Sequence, residues 1–205
     1  IRNTAPLQMP AAHLPGDPYS MGLWLGDGTT GLGEVARGLE DAPHVRQQLV
    51  AAGFQTTVMA NPTKVGTKGL ATQLRAAGVL AEKHVPAMYL RASAEQRLAL
   101  LQGLLDSDGS VCSLESNRVS FDNTNDTLAA AVYELATSLG MKASQRELAR
   151  RTVADKPVYR VELAPTMEVF RLPRKAARIN LARSQQERSK ARFIVDVRPV
   201  PSVPV

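Results

Sequence analysis

A short stretch occurs twice in this chain, and its repetition limits the fold more than any other feature. Residues 22–28 read Gly-Leu-Trp-Leu-Gly-Asp-Gly, and residues 103–109 read Gly-Leu-Leu-Asp-Ser-Asp-Gly. Each copy has small residues four positions apart and closes with Asp-Gly. On a helix, positions four apart share a face, and small residues there let two backbones approach closely. The sequence therefore predicts two helices that pack against each other through this stretch.

The acidic residue of each copy is expected at the C-terminal end of its helix. Gly28 and Gly109 follow Asp27 and Asp108, and a glycine in this position is typical of a left-handed helix cap. A carboxylate there is unfavourable, because the helix dipole already places negative charge at that end. Two such carboxylates brought together would repel unless a cation lay between them. The doubled Asp-Gly therefore indicates a metal site.

The two stretches resemble the paired dodecapeptide motifs of LAGLIDADG homing endonucleases, in the single-chain form found inside inteins. The resemblance implies an α+β fold with two pseudo-symmetric αββαββα halves packed through the motif helices. It also implies curved antiparallel sheets that form a DNA-binding saddle. Residues 22–30 and the segment Lys83-His84-Val85-Pro86 further resemble actinobacterial inteins, such as those of replicative DNA helicases.

The order of predicted elements places four regions along the chain. Residues 1–16 are proline-rich and form an extended lead-in, and residues 17–92 form the first half. Residues 93–191 form the second half, and residues 192–205 begin the return to the splicing domain. Within the halves, the glycine-rich residues 31–38 predict a poor strand.

Helix starts are predicted from side chains that cap a first turn. Asp17 or Ser20 is expected to cap the first motif helix, and Ser93 with Gln96 matches a capping box before the second. Near the end of the second half, residues 169–182 read as largely helical, with an interruption at Pro173.

The distribution of charge favours a polyanionic partner. The net charge is +6, yet residues 142–192 alone carry 14 basic and 5 acidic side chains. Such a basic section on a near-neutral body is typical of nucleic-acid binding. With the resemblance, we expect a monomer that binds double-stranded DNA at a long, non-palindromic site, since the halves differ in sequence.

Other classes of location and site are disfavoured. No apolar run approaches the 18 residues of a membrane span, and the N-terminal residues lack a signal-peptide core, so a cytoplasmic location is expected. One cysteine, Cys112, excludes an internal disulfide and is expected to pack as a small apolar group. Three histidines without regular spacing make a zinc site improbable. Trp24 is expected to be buried.

The resemblance assigns the chemistry to the motif aspartates. Asp27 and Asp108 are predicted to be both metal ligands and catalytic residues, with Mg²⁺ as the expected cofactor and Mn²⁺ as an alternative. The family pattern adds the backbone carbonyls of Gly26 and Ser107 as ligands. Asp106, beside Asp108, is expected to face outward or cap a neighbouring element.

Family members also place a lysine near each scissile phosphate, where it stabilises developing charge. Lys83, in Lys-His-Val-Pro, matches that position in the first half. Lys175 is the choice in the second half, with Lys156 as its competitor.

Residues that read DNA are expected at exposed, alternating positions on strands. Arginine can pair bidentately with guanine, whereas lysine mostly meets phosphate. The candidates are Thr56, Lys64 and Lys68 in the first half and Arg146, Arg150, Arg151 and Arg160 in the second.

Three alternatives compete with a metal-dependent endonuclease, and the residues argue against the second and the third. One is the same fold decayed to a DNA-binding module. A calcium-binding module is suggested by residues 106–109, but an EF-hand loop needs its glycine at the sixth position, and Gly109 falls at the fourth. A helical interaction domain would leave the doubled Asp-Gly unexplained.

Overall fold

Helices and antiparallel strands alternate along the chain in the computed structural model, which describes residues 2–113, 117–149, 156–182, 191, 194 and 196–199. The first half contains α1 (Pro18–Asp27), β1 (Glu34–Ala36), α2 (Ala42–Ala51), β2 (Gln55–Val58), β3 (Lys64–Lys68), α3 (Leu70–Ala76) and α4 (Ala87–Leu90). The second half contains α5 (Ala94–Asp108), β4 (Gly109–Ser113), β5 (Arg118–Asn123), α6 (Asp126–Ser138), β6 (Lys142–Glu147), β7 (Tyr159–Ala164) and α7 (Pro173–Ala176).

Both motif helices begin at the predicted caps. The Asp17 carboxylate accepts a hydrogen bond from the Ser20 amide at 2.8 Å, and Pro18 occupies the first turn of α1. Ser93 and Gln96 form the capping box that opens α5. These contacts satisfy amide groups that have no partner inside the helix.

The two motif helices, α1 and α5, pack against each other through glycines. A Cβ atom added to Gly22 would lie 2.3 Å from the Leu100 carbonyl oxygen and 3.0 Å from the Cα of Gly103. A Cβ atom added to Gly103 would lie 2.2 Å from the Tyr19 carbonyl oxygen and 2.9 Å from the Cα of Gly22. The reciprocal distances show that the helices meet about a local two-fold axis, with no room for a side chain at the crossing.

The glycines after the motif aspartates are extended, so the predicted left-handed caps are wrong. Gly28 has φ −76° and ψ 149°, and Gly109 has φ −80° and ψ 147°. Each helix passes directly into a β-type conformation instead of turning back. Glycine is required for space: a Cβ atom would lie 2.4 Å from the Trp24 carbonyl oxygen at Gly28 and 2.5 Å from that of Leu105 at Gly109.

Each half carries one open antiparallel sheet. The strand order is β1-β3-β2 in the first and β4-β5-β7-β6 in the second. The second half follows the predicted αββαββα order. The first half has one strand fewer, because residues 29–33 turn tightly and reduce the first strand to a single bridge between Gly28 and Val35.

The registers identify equivalent positions in the two halves. Val35 faces Val65 on β3 and Gly28 after α1. Phe121 faces Val161 on β7 and Gly109 after α5. Val35 and Phe121 are therefore equivalent, and so are the residues two positions later, Arg37 and Asn123.

Three local predictions differ from the structure. Residues 34–36 form β1 despite the glycines around them, because β3 supplies backbone partners. Residues 169–182 contain only the short helix α7, since the chain from 169 to 172 is held by side-chain contacts described below. Cys112 is exposed instead of packed.

One hydrophobic core runs through both halves. It includes the fully buried Trp24, as predicted, together with Leu104, Val65 and Val161. Within the ranges given above, no helix combines the length and apolar character needed to cross a bilayer.

Candidate functional site

The C-terminal ends of the motif helices meet and bring the predicted aspartates to one place. A Cβ atom added to Gly26 would lie 1.9 Å from Ser107 Oγ and 3.4 Å from Asp108 Oδ2. Asp27 follows Gly26 directly, so the two carboxylates flank the point where the helices touch. Both residues are partly exposed, so solvent reaches them.

Burial makes the Asp108 carboxylate unfavourable without a cation. Desolvation raises its pKa above the usual aspartate range, and the hydrogen bond from Asn123 opposes this shift. The nearby charges of Arg37 and Lys83 oppose it as well. The site thus holds negative charge that a divalent cation would stabilise.

Each motif carboxylate is held by a side chain at the equivalent position of its own sheet. Arg37 Nη1 donates a hydrogen bond to Asp27 Oδ2, and Asn123 Nδ2 donates to Asp108 Oδ2 at 2.9 Å. We call each motif aspartate, together with the side chain that holds it and the lysine of its half, a half-site. Arg37 is a cation and Asn123 is neutral, so the two half-sites have corresponding contacts and different charge.

Arg37 is itself unusual, because only 3% of its side chain is exposed. Its Nε and Nη2 atoms are buried without a hydrogen-bond partner among the described residues. Burial lowers the pKa of its guanidinium. An arginine held in this way is costly for stability, which points to a role at the site.

The two predicted lysines reach the ends of their own motif helices. Lys83 Nζ donates to the carbonyl oxygens of Gly26 at 3.0 Å and Gly28 at 2.8 Å. Burial lowers its pKa, and the ammonium lies 5.0 Å from the centre of the Trp24 ring. A cation is favourable here, because the last carbonyls of a helix are unpaired and partly negative.

Lys175 makes the equivalent contacts in the second half. Its Nζ donates to the carbonyl oxygens of Ser107 at 3.3 Å and Gly109 at 2.7 Å, and also to those of Leu105 and Asp106. Burial lowers its pKa to about 8. Lys156, the competing candidate, is exposed in the segment before β7. The structure thus brings Lys175 to the motif.

The predicted carboxylate ligands of a metal ion are better placed to bind it than the predicted carbonyl ligands. The described residues contain no cluster of three or more His, Cys, Asp or Glu side chains that could hold a metal. Two carboxylates still suit Mg²⁺, which keeps several waters and takes one or two carboxylates. The predicted carbonyl ligands, Gly26 and Ser107, already accept hydrogen bonds from the lysines. A metal at these oxygens would have to use their second lone pair.

Asp106 is buried, contrary to the expectation that it faces outward. Tyr19 donates to it through its hydroxyl at 2.8 Å, and the amides of Arg171 and Leu172 donate to both of its oxygens at 3.1–3.3 Å. Burial raises its pKa. It therefore stabilises the residues before α7, which agrees with the expected capping of a neighbouring element.

The DNA-binding candidates of the first half do not share one face. In the register, Lys64 and Lys68 lie on one face of β3, and Thr56 lies on the face of the buried Val65. Thr56 is therefore placed away from the two lysines. Lys68 is exposed, and Lys64 forms an ion pair with Glu34 at 3.1 Å.

Arg146 and Arg160 are directly opposite each other on β6 and β7, on the same face. Their mutual repulsion is balanced by carboxylates, since Arg146 pairs with Glu162 at 3.2 Å and Arg160 pairs with Asp122 at 2.6 Å. Arg150 and Arg151 lie outside the described residues.

Sequence reasoning missed Arg37 and Asn123, and it also missed Asp41 and Asn125, which make contacts between the two halves that are described below. Arg37 lies 10 residues after Asp27, whereas Asn123 lies 15 residues after Asp108. These unequal spacings hide the equivalence, which depends on sheet register. Asn125 carried a usable signal, because asparagine before an Asp-Thr helix start is typical of an N-cap.

Comparison with known proteins finds similarity to a family model and to a replicative helicase. Residues 84–180 match the family model described as homing endonuclease. The chain is 37% identical over 208 residues to the replicative DNA helicase DnaB of Mycobacterium intracellulare, an alignment that covers 100% of this chain and 34% of the helicase. The chain therefore spans about a third of that relative.

Two solved structures share the fold. One is I-DmoI in complex with DNA and Ca, with a TM-score of 0.54 and 17% identity over 78% of this chain and 94% of I-DmoI. The other is a structure of mesophilic variants of the homing endonuclease I-DmoI, with a TM-score of 0.52 and 16% identity over the same shares. The chain thus has the fold of the homing endonuclease I-DmoI, and its residues 84–180 match the homing endonuclease family model.

Proposed function

We propose that this chain is the endonuclease part of an intein and cuts both strands of DNA at the intein insertion site. The observation that carries the proposal is that the C-terminal ends of α1 and α5 meet. Each end carries an aspartate, and a lysine donates hydrogen bonds to the last backbone carbonyls of each helix. Phosphodiester hydrolysis needs positive charge at the phosphate and an activated water, and this pairing supplies one set of groups for each strand.

Divalent metal dependence belongs to the same proposal. Asp27 and Asp108 would hold the cation, which when bound neutralises phosphate charge and lowers the pKa of water. Mg²⁺ is the proposed ion, with Mn²⁺ as the alternative. I-DmoI, which shares the fold, is described in complex with DNA and Ca.

The residues of this chain would then divide the remaining work. Arg37 and Asn123 orient the two carboxylates through one hydrogen bond each. Lys83 and Lys175 hold an ammonium at the end of each motif helix, where it would stabilise the charge that develops on the phosphate.

Partner and host follow from the same argument. A monomer with unequal halves suits a non-palindromic DNA duplex, and we place it in the cytoplasm. The match to one third of a replicative helicase supports an insertion within such a gene. The four regions predicted from sequence, 1–16, 17–92, 93–191 and 192–205, remain a proposal for its organisation.

The test is cleavage of a plasmid that carries the helicase gene with the intervening segment removed. The chain is expected to linearise it in Mg²⁺ and to leave it intact in excess chelator. Asp27→Asn and Asp108→Asn are expected to bind the duplex without linearising the plasmid. Asp126→Asn, an exposed aspartate at the start of α6, is the matched control and should cut normally.

Two results would contradict the proposal. Binding without cleavage in either Mg²⁺ or Mn²⁺ would support the decayed, DNA-binding alternative. If the chain neither binds nor cleaves this duplex, DNA of this sequence is excluded as its partner.

A further inference from the structure

The lysine of each half-site is connected to the opposite half of the molecule. Arg174, next to Lys175, donates two hydrogen bonds to Asp41, from Nε to Oδ1 at 2.7 Å and from Nη2 to Oδ2 at 2.5 Å. Asn125 Nδ2 donates to the backbone carbonyl oxygen of Lys83 at 2.9 Å. Asp41 precedes α2 and Asn125 precedes α6, so the two contacts leave equivalent positions in the two halves.

The Asp41 contact replaces a stabilising interaction that its position would normally provide. Aspartate before a helix usually accepts a hydrogen bond from the first-turn amides. Asp41 makes no such bond, because both carboxylate oxygens face Arg174. Its side chain is only 9% exposed, and the bond from Arg174 lowers its pKa. The Asp41 side chain therefore binds Arg174 of the other half and does not cap α2.

Asn125 performs both tasks at once. Its Oδ1 accepts from the amides of Thr127 and Leu128 and caps α6, while its Nδ2 holds the chain at Lys83. The contact between Asp41 and Arg174 has a second one beside it. Arg171 Nη1 donates a hydrogen bond to the Gln48 side chain of α2 at 3.2 Å, so α2 also contacts the segment before Lys175.

We propose that Asp41 and Asn125 are positioning residues that make each half-site depend on the other half. Asp41 of the first half holds the segment that carries Lys175, and Asn125 of the second half holds the segment that carries Lys83. This inference rests on the proposed cleavage. Each lysine must reach its helix end to act, and displacement by about 1 Å is enough to slow a reaction by roughly 100-fold.

The experiment compares Asp41→Ala with Asn125→Asp in the full chain. Asp41→Ala removes no capping bond, since Asp41 makes none. Asn125→Asp keeps an oxygen for the α6 cap and loses only the donor to Lys83. Glu134→Gln, which breaks the exposed pair with Arg91, is the matched control.

The substrate is a duplex of the helicase gene with the intervening segment removed. Its two strands carry different labels, so that cleavage of each strand is measured separately. Lys83→Met and Lys175→Met first assign each strand to a lysine. Asp41→Ala is expected to slow by about 10-fold to 100-fold only the strand assigned to Lys175, and Asn125→Asp only the strand assigned to Lys83. Arg174→Gln should match Asp41→Ala, and the double variant should be no slower than either. Equal slowing of both strands, or of neither, would overturn the inference.

A second readout needs no cleavage and separates this inference from the proposed function. An amine-reactive label followed by mass spectrometry measures the accessibility of each lysine in the free protein. Lys175 is 7% exposed, so it should react slowly in the unsubstituted chain and several-fold faster in Asp41→Ala, with Lys83 unchanged. Unchanged labelling of Lys175 would overturn the inference. Absence of cleavage by the unsubstituted chain would overturn the proposed function alone.

Discussion

Arg37 and Asn123 occupy equivalent positions in the two sheets, and each donates a hydrogen bond to the motif aspartate of its own half. Arg37 is a cation in direct contact with Asp27, whereas the side chain in contact with Asp108 is the neutral Asn123, and the Arg37 charge reaches Asp108 without a hydrogen bond. The two half-sites therefore offer a divalent cation different electrostatic environments.

Arg37→Gln is predicted to strengthen divalent-cation binding. Glutamine can keep the hydrogen bond to Asp27, and the substitution removes a cation that would repel the metal. Two charges about 4 Å apart near a protein surface interact by about 4 kcal/mol. Because Asp27 is 36% exposed, solvent reduces this effect, and a gain of about tenfold in affinity is expected.

The measurement is calorimetric titration of Ca²⁺ into the protein bound to its target duplex. Arg91→Gln, at the exposed end of α4, removes the same charge away from the site and should leave the affinity unchanged. An unchanged or weaker affinity in Arg37→Gln would show that Arg37 does not compete with the metal.

Gly22→Ala is predicted to destabilise the fold strongly. The new Cβ would lie 2.3 Å from the Leu100 carbonyl oxygen and 2.8 Å from the Leu104 amide nitrogen, and backbone atoms cannot rotate away. Because the nearest atoms are all backbone, the cost is expected at or above the upper end of the usual range of about 1–3 kcal/mol for overpacking, well beyond the helix-propensity gain of about 1 kcal/mol.

Urea unfolding gives the free energy for comparison. Gly38→Ala is the control, because no atom lies within 4 Å of its added Cβ and its φ is outside the left-handed region. It should change stability by less than about 1 kcal/mol. Equal effects of the two substitutions would contradict close packing at the helix crossing.

Asp106→Asn is predicted to weaken the connection between α5 and the residues before α7. The carboxylate accepts from Tyr19 and from the amides of Arg171 and Leu172, and an amide side chain would turn a donor toward one of these donors. Hydrogen bonds to charged groups contribute about 1.5–3 kcal/mol, so a loss in this range is expected.

Thermal and urea unfolding measure this loss. Asp126→Asn, an exposed aspartate in the first turn of α6, should cost only about 0.3–1 kcal/mol. If Asp106→Asn were as mild as this control, the buried carboxylate would be making little net contribution.

Lys68→Ala is predicted to weaken DNA binding uniformly across sequences. Lys68 is exposed on the outer face of β3, where a phosphate contact releases counterions. The slope of log affinity against log salt concentration should become shallower by about 1. Arg91→Ala serves as the comparison, and an unchanged slope in Lys68→Ala would exclude a phosphate contact.

The sequence alone indicated the two motif helices, and the family resemblance of the doubled motif implied the fold class. Local signals were sufficient there: small residues four apart, the Asp17 cap and the Ser93–Gln96 capping box act within one or two helical turns. It also identified Asp27, Asp108, Lys83 and Lys175, which the structure brings to the two helix ends. Their roles in cleavage and metal binding remain predictions.

Sequence reasoning failed where distant parts of the chain decide the outcome. The strand β1 forms because β3 offers it partners, and Gly28 and Gly109 are extended because each helix runs into a sheet position. The residues before α7 are held by Asp106, so the helix predicted there is short.

What the sequence determined by itself is the pair of motif helices, their N-terminal caps and the aspartates at their C-terminal ends, since small-residue spacing and capping act between near neighbours. Only the tertiary structure decided that Arg37 matches Asn123, that Asp106 is buried, and that Asp41 reaches Arg174, which is 133 residues away in the chain. Such pairs depend on sheet register and on the packing of two halves, and neither leaves a fixed spacing in the sequence.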